Sequence, residues 1–290
     1  MWGGVYASDS CVALYYPEIN PPYRAIFDEI TLGIKYSADI EVKTITFKES
    51  SPQDNIQQPC DIAIGLGRAG VGYLDKYGLK IKRIYGAILS DPYSISAIPT
   101  ISLVPSPMAM FERAQYFMPE LSTVHVVYNP SVNQNYINSA IEQAKTLNIQ
   151  LVTHSAKDIK HAVKSYQEIL SNIVSEKEAL WLLQDSSIAD SKAVLANILK
   201  MAWRKRLVVF SNQPGHAKRG VLFSVYADNY ALGVALGKLA ASCSSTKCAE
   251  GGTQALLSLR TAINVRTAAR LGISTNSMKH KFIDLTFPRR

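Results

Sequence analysis

The segment Gly65-Leu66-Gly67-Arg68-Ala69-Gly70 matches the pattern G-x-G-x-x-G and lies between a strand-like run and a helix-like run. Asp91 follows about 20 residues later, as in the fingerprint that binds dinucleotide phosphates at a helix N-terminus. That fingerprint belongs to the first strand–helix unit of a domain, whereas this segment follows the third strand-like run. The segment therefore indicates either a nucleotide- or NAD-dependent enzyme, or a tight turn whose N–H groups can hold a carboxylate or phosphate.

Residues for covalent or acid–base catalysis are not grouped in this sequence. It has no G-x-S-x-G motif, and none of its five histidines pairs with a candidate nucleophile. His125 lies in an apolar strand-like run, which is typical of a hydrogen-bonded core residue. The four cysteines form no Cys-x-x-Cys pair, and no His-x-x-x-His pair exists. We therefore expect a protein that binds rather than reacts, with no catalytic residue, metal or cofactor.

Polar side chains follow many of the strand-like runs. Ligands of parallel α/β sheets bind at the carboxyl ends of strands, so these residues are candidates for a small polar ligand; the alternative is that they cap helices and shape loops. Tyrosines at the same ends suit stacking on a ligand ring or, equally, core packing. The candidate ligand-binding residues are Tyr16, Gly67, Arg68, Ser90, Asp91, Ser102, Tyr128, Asn129, Asp185, Ser186, Asn212, Gln213 and Tyr226.

Strand-like and helix-like runs alternate along the whole chain, which predicts an α/β fold with parallel sheets and helices on both faces. Two rounds of alternation predict two Rossmann-like lobes, with the order 2-1-3-4-5 in the first sheet. The region after Tyr226 supplies one more helix and one more strand, so the chain crosses back between lobes. We expect residues 8–119 with about 227–255 in one lobe, and 120–226 with about 256–290 in the other.

The cysteines favour an oxidising compartment. Cys11 and Cys60 begin what would be neighbouring strands, within disulfide reach, and Cys243 and Cys248 flank a short polar loop. Four unrelated thiols are the alternative. The residues Val5-Tyr6-Ala7 fit the end of a signal peptide, so we expect an exported, periplasmic protein whose signal peptide is shortened; a short disordered N-terminus is the alternative.

Composition excludes several classes. Of 290 residues, 47% are hydrophobic and 19% are charged. The chain therefore has enough apolar residues to form a hydrophobic core, and we do not expect a disordered protein. No apolar run reaches the ~18 residues of a membrane-spanning helix. The net charge of +8 has no zinc-finger, basic-zipper or RNA-binding motif beside it, so we expect a solvated basic surface and no nucleic-acid partner.

Several segments of the chain, taken in order and spacing, form a recognisable set. The stronger segments are 124–130 (VHVVYNP), 181–188 (WLLQDSSI), 208–213 (VVFSNQ), 220–226 (GVLFSVY), 229–233 (NYALG) and 262–273 (AINVRTAARLGI). The weaker segments of the first half are 63–65 (AIG) and 87–92 (AILSDP). Together they resemble the ABC-transporter substrate-binding family typified by the tryptophan-binding lipoproteins. The resemblance covers most of the chain and is more specific in its second half.

The resemblance implies a type I periplasmic-binding fold, two lobes joined by a hinge, and a small ligand held as the lobes close. It implies export and an ABC permease as partner; a membrane sensor or another non-transport role is the alternative, and we expect a monomer. Asp185 matches an acidic position that can face a ligand amine, and Asn212 matches the next strand-end loop. The chain departs from the family at Leu66, where a hydroxyl is usual, so Arg68 becomes the candidate anchor for an anion.

Overall fold

The computed structural model describes residues 11–21, 23–48, 59–77, 81–174, 176–185, 188, 192–245, 248, 251–275 and 282–288. The elements are, in chain order, β1 (Cys11–Pro17), α1 (Arg24–Ser37), β2 (Glu41–Phe47), β3 (Ile62–Leu66), α2 (Gly67–Tyr77), β4 (Lys82–Ile88), β5 (Pro99–Ser102), α3 (Pro107–Phe117), β6 (Thr123–Tyr128), α4 (Pro130–Thr146), β7 (Gln150–Ser155), α5 (Ile159–Asn172), β8 (Glu178–Leu182), α6 (Lys192–Lys205), β9 (Val208–Ser211), α7 (Pro214–Arg219), β10 (Phe223–Ala227), α8 (Asn229–Ser245), β11 (Gly252–Ala255), β12 (Leu259–Asn264), α9 (Val265–Leu271) and β13 (Leu285–Phe287).

The chain divides into two compact units, each built from two stretches of sequence. The first unit is 1–103 with 227–258, and the second is 104–226 with 259–290. Residues 104–119, which the sequence analysis placed in the first lobe, belong instead to the second unit. The reason is packing: α3 buries Met110, Phe111 and Phe117 in the core of the second unit.

The sheet of the first unit has the strand order β11-β5-β4-β3-β1-β2, which contains the expected order 2-1-3-4-5. Its recorded pairings are parallel; Val12, for example, lies between Val42 of β2 and Ile62 of β3. The strand β11, which the sequence analysis missed, adds to the edge beside β5. One apolar cluster packs beneath α1 and α8, and another beneath α2.

The sheet of the second unit has the order β13-β12-β10-β9-β8-β6-β7. Val124 and Val126 face the core cluster that includes α3 and α4, whereas Val127 faces the cluster beneath α5 and α6. The last strand, β13, pairs with β12 in parallel. Strand β12 runs antiparallel to β10, since Asn264 N donates to Leu222 O and Asp228 N to Ser258 O, so this sheet is mixed where the sequence predicted a parallel one. Arg113 of α3 is 9% exposed, donates from Nε to Thr261 Oγ1 of β12 at 3.0 Å, and lies over the ring of Phe282.

Both expected disulfides are formed. Cys11 is bonded to Cys60, with 5.0 Å between their Cα atoms, and Cys243 is bonded to Cys248. The first bond ties the start of β1 to the residue that precedes β3, which are neighbouring strands of one sheet. The described residues contain no free cysteine.

Helices α1 and α8 of the first unit approach closely through glycines. A Cβ atom on Gly33 would collide with the carbonyl oxygen of Tyr230, and one on Gly233 would collide with that of Ile30. The hydroxyl of Ser37 donates to the carbonyl of Val234 at 2.9 Å, across the same interface. This contact places α8, a late segment of the chain, directly on a helix formed from the first 40 residues.

A histidine pair lies across three strands of the second unit. Nε2 of His125 is 2.9 Å from Glu178 Oε2, and its Nδ1 is 3.4 Å from Nε2 of His154. With both rings neutral, we assign His125 as the donor to Glu178 and His154 as the donor to His125. Burial, reinforced by the nearby His125, lowers the pKa of His154, while Glu168 on α5 opposes this shift.

Replacement of Gly233 by alanine should destabilise the protein by about 1–3 kcal/mol, because the added methyl group has no room between α1 and α8. Gly72→Ala in α2 is the matched control, because a Cβ there meets nothing within 4 Å. Alanine favours the helix over glycine, so the free energy of unfolding should increase by roughly 0.5–1 kcal/mol. Urea unfolding of the three proteins measures both effects. Equal stability of Gly233→Ala and the parent would contradict the close packing of the two helices.

Acid should weaken the second unit through His154. Its pKa is lowered in the folded protein, so below the unfolded value of about 6.5 the unfolded chain binds more protons and the free energy of unfolding falls. Above about pH 7 both states hold the neutral ring and the effect vanishes. In His154→Gln, the loss of stability between pH 7.5 and pH 5 should be smaller than in the parent. The urea midpoint at each pH is the measurement, and parallel pH profiles would refute the role of His154.

Candidate functional site

The carboxyl edge of the second sheet gathers most of the predicted polar residues. Strands β10, β9, β8 and β6 are successive neighbours in this sheet. Because they run parallel, the residues that follow them emerge at one edge. The residues placed there are Tyr128 and Asn129 after β6, Asp185 after β8, Asn212 and Gln213 after β9, and Tyr226 at the end of β10. Ser186, also predicted, lies outside the described residues.

Asp185 is the buried acid of this edge, with only 8% of its surface exposed. Asn133 donates from Nδ2 to Asp185 Oδ2 at 2.6 Å. Asn133 reaches it because α4 begins at Pro130, capped by the side chain of Asn129, which accepts a hydrogen bond from Ser131 N at 3.0 Å. A buried carboxylate is costly unless a cation or hydrogen-bond donors face it.

Tyr166 on α5 has a buried hydroxyl group that is affected by the charge of Asp185. Its side chain is 2% exposed, and its hydroxyl has no hydrogen-bond partner among the residues that the structure describes. Burial, followed by the negative charge of Asp185, raises the pKa of Tyr166. Asp185 is itself buried, and charge interactions are stronger in buried surroundings than in water.

Asn212 supports the loop that carries Asp185. Its Oδ1 accepts a hydrogen bond from the backbone N–H of Gln184 at 2.8 Å, and it is 5% exposed. The loop after β9 is fixed in turn by Ser211, whose hydroxyl accepts from Gln213 N at 3.0 Å and lies 2.8 Å from His216 Nδ1. The oxygen of Asn212 is thus committed to positioning the adjacent loop.

The two tyrosines of this edge differ in exposure. Tyr128 is 9% exposed, and its hydroxyl donates to Gln134 Oε1 at 3.4 Å; Tyr226 is half-buried. Asn129 is buried and uses its side-chain oxygen as the helix cap described above. Tyr128 belongs to the core cluster of the second unit, which matches the alternative of core packing given for the tyrosines. The cap of α4 likewise matches the alternative given for Asn129.

The carboxyl edge of the first sheet carries the remaining predicted residues. The ring of Tyr16, at the end of β1, packs 5.3 Å from that of Phe27 on α1. Asp91 accepts a hydrogen bond from Tyr93 N at 2.9 Å, so its carboxylate stabilises the turn that it begins. Ser102 is buried and donates to the carbonyl oxygen of Ser90, whose own hydroxyl is buried without a partner in the described part of the chain.

The glycines of the segment 65–70 have structural reasons. Gly67 has φ of +71°, a backbone conformation that favours glycine, and it begins α2. A Cβ on Gly70 would collide with the carbonyl oxygen of Tyr15, and one on Gly65 would lie 3.1 Å from the carbonyl oxygen of Gly70. The glycines thus let α2 pack closely on β1 and β3. Arg68 is exposed in the first turn of α2.

The sequence analysis missed Asn133 as a neighbour of Asp185. Asn133 lies four residues after the cap Asn129, one turn along α4, which was the available signal. Among the described residues, no group of three or more His, Cys, Asp or Glu side chains is arranged to hold a metal ion. None of the described helices has the length and apolarity needed to span a membrane.

Solved structures with the same overall fold cover nearly the whole chain. A substrate-binding protein with adhesive properties from Clostridium difficile, CD0873, has a TM-score of 0.70 at 14% identity, covering 96% of this chain and 99% of that one. An ABC domain from Streptococcus pneumoniae, solved in complex with L-Trp, has a TM-score of 0.59 at 16% identity, covering 96% and 100%. These similarities show the type I periplasmic-binding fold, which the resemblance to the family implied.

No curated protein sequence matches the chain. A family model described as "ABC transporter substrate binding protein" matches residues 109–280, which is more than half of the chain and includes the edge that carries Asp185. This chain belongs to the ABC transporter substrate-binding protein family.

Proposed function

We propose that this protein is an exported solute-binding protein that captures a small polar or amino-acid-like ligand for an ABC-type uptake system. The observation that carries the proposal is the buried carboxylate of Asp185 at the carboxyl edge of the second sheet, held by Asn133 at 2.6 Å. A ligand amine is the complement of such a group, because it compensates the charge and supplies hydrogen-bond donors.

The neighbouring residues support an amino-acid-like ligand. Tyr226 is half-buried near the end of β10 in the same sheet, and we propose its ring for contact with an apolar or aromatic side chain. Tyr128 instead packs in the core of the second unit. In the first unit, taken by itself, we propose Arg68 and the N–H groups that begin α2 as an anchor for an anionic group. L-Trp, present in the Streptococcus pneumoniae structure, is therefore the first ligand to test.

Export is supported by the two disulfides, since disulfides persist in oxidising compartments. Proteins of this family generally deliver a small molecule to an ABC permease, and we propose the same partner here. No observation in the described residues favours the nucleotide-dependent enzyme, because the glycines of the segment 65–70 are explained by the packing of α2.

The first experiment is a thermal-shift screen of the oxidised protein against amino acids, nucleosides, sugars, dicarboxylates and NAD. A ligand that binds only the folded state stabilises it by about 2.7 kcal/mol at 100 times its Kd, which gives a clear increase in Tm. We expect an increase with amino acids. An increase with NAD alone would overturn the proposal in favour of an enzyme, and a response to sugars alone would overturn the assigned ligand class.

Asp185→Asn should weaken binding of an amine-bearing ligand by about 10- to 100-fold, because a hydrogen bond to a charged group contributes roughly 1.5–3 kcal/mol. The amide keeps the size of the side chain, and calorimetric titration gives the Kd. Glu142→Gln is the control: this exposed residue of α4 pairs only with Lys145 among the described ion pairs, and its loss should leave Kd unchanged.

A ligand analogue that lacks the amine completes a thermodynamic cycle. It should bind the parent protein weakly and should lose nothing further in Asp185→Asn, since the interaction being tested is already absent. An equal loss of affinity for both ligands would mean that Asp185 acts through the shape of its loop and does not meet the amine.

A further inference from the structure

The net positive charge of the chain is confined to the second unit. The sequence of the first unit contains 11 Lys and Arg against 13 Asp and Glu, whereas the second contains 20 against 10. The two units therefore carry −2 and +10, although the whole chain has only +8. A surplus of this size on one unit indicates an anionic partner for that unit.

Part of this charge lies at the amino edge of the second sheet, opposite the edge that carries Asp185. Helices α6 and α7 end there, because each follows a parallel strand and runs back along the sheet. Helix α9 begins there, because β12 runs antiparallel to β10, as the hydrogen bond from Asn264 N to Leu222 O shows. We define the amino-edge patch as Trp203 with the exposed cations Arg204, Arg206, Lys218, Arg219, Arg266 and Arg270. The described residues give none of these six cations an ion pair with a carboxylate.

Trp203 is the apolar centre of the patch and is 48% exposed. The guanidinium of Arg270 lies 5.6 Å from the centre of its ring, and Arg206 donates from Nη2 to the carbonyl oxygen of Arg270 at 3.2 Å. Gly220 joins the end of α7 to this group, since its carbonyl oxygen accepts a hydrogen bond from the hydroxyl of Thr267 on α9 at 2.8 Å. The three helix ends therefore form one continuous surface.

The crevice between α6 and α9 in this surface has a volume of about 20 Å³, which is too small for an organic ligand. Cations at helix C-termini also offset the helix dipole, but that effect needs no exposed indole at the centre of the cluster. An open surface that combines arginines with a half-exposed tryptophan suits a partner that is anionic, flat and apolar just below its surface.

We propose that the amino-edge patch docks on the surface of an anionic phospholipid bilayer. The arginines and Lys218 would bind lipid phosphates, and the indole of Trp203 would enter the headgroup region, where aromatic side chains are stabilised. An acidic protein surface is the competing partner. The proposal does not depend on the ligand assigned to Asp185, because it concerns the opposite edge of the second sheet.

The test is sedimentation of the full chain with vesicles of phosphatidylcholine and phosphatidylglycerol at 3:1, and with vesicles of phosphatidylcholine alone. We expect partitioning only with the anionic vesicles, and weaker partitioning as salt is increased. The triple variant R204Q/R206Q/R270Q should lower the partition coefficient by about 100-fold, from the loss of three cations near an anionic surface.

The matched control is K157Q/K160Q/K164Q, which removes the same charge from exposed positions at and near α5 of the same unit. It should lower the partition coefficient by less than about 3-fold, because these lysines lie outside the patch. An equal decrease of the partition coefficient in both variants would show a general effect of charge and would overturn the assignment of binding to the amino-edge patch. Far-ultraviolet circular dichroism and the urea midpoint establish that each variant is folded.

Trp203 provides an independent readout. Its fluorescence emission should shift to shorter wavelength with anionic vesicles, and this shift should disappear in Trp203→Phe, while Trp181 stays buried in the core. Binding to soluble poly-glutamate but not to the vesicles would overturn the bilayer and favour an acidic protein. Absence of binding to the anionic vesicles would overturn the proposal even if the ligand screen succeeds.

Discussion

The close contact between α1 and α8 is the interaction on which the division of the chain depends. The chain builds the first five strands of one sheet, completes most of a second sheet, and must then return to finish the first unit. Gly33 and Gly233 allow the two helix backbones to meet without side chains between them. With α8 packed on α1, the next strand, β11, pairs with β5 at the edge of the first sheet. The chain then continues into β12, which belongs to the second unit.

The same physical device explains why the glycine segment 65–70 is ambiguous as a sequence motif. A dinucleotide site and a tightly packed strand–helix turn both require residues without a Cβ at similar spacing. Here Gly70 is needed because α2 presses against the backbone of Tyr15, and Gly67 is needed because its φ is positive. The pattern therefore predicts close backbone packing reliably, whereas phosphate binding needs the additional context of a first strand–helix unit.

Much of the fold could be predicted from local patterns. Apolar runs such as 12–16 and 124–128 became β1 and β6, and the alternation of strands and helices predicted an α/β fold with mostly parallel sheets. The elements that were missed are short: α7, α9, β11 and β13 have three to seven residues each, too few for a periodic signal. The boundary at 103 was missed because the sequence of α3 indicates an apolar face but does not indicate the sheet against which that face packs.

The candidate site also contains residues that the sequence predicts and residues that it does not. Asp185 could be predicted because it follows a buried strand, whereas Asn133 was missed although it lies one turn after the cap Asn129, because that spacing does not show which side chain it will meet. Asn129, Asp91 and Asn212 follow strands as expected, yet their oxygens accept backbone hydrogen bonds that shape loops. Position at a strand end thus predicts which residues lie at the edge of the sheet. The hydrogen bonds in the structure then show which of these residues already hold a loop or a helix cap.

The charges of the second unit act at two different ranges. Strand β8, which ends three residues before Asp185, has five residues and rises about 16 Å, which is roughly two Debye lengths at physiological ionic strength. The cations of the amino-edge patch are therefore largely screened from the carboxyl edge. In the site proposed above, the buried carboxylate of Asp185 would decide the charge of the ligand group, because a charge interaction is stronger in buried surroundings than in water. The exposed cations act on extended anionic surfaces, where many weak contacts add.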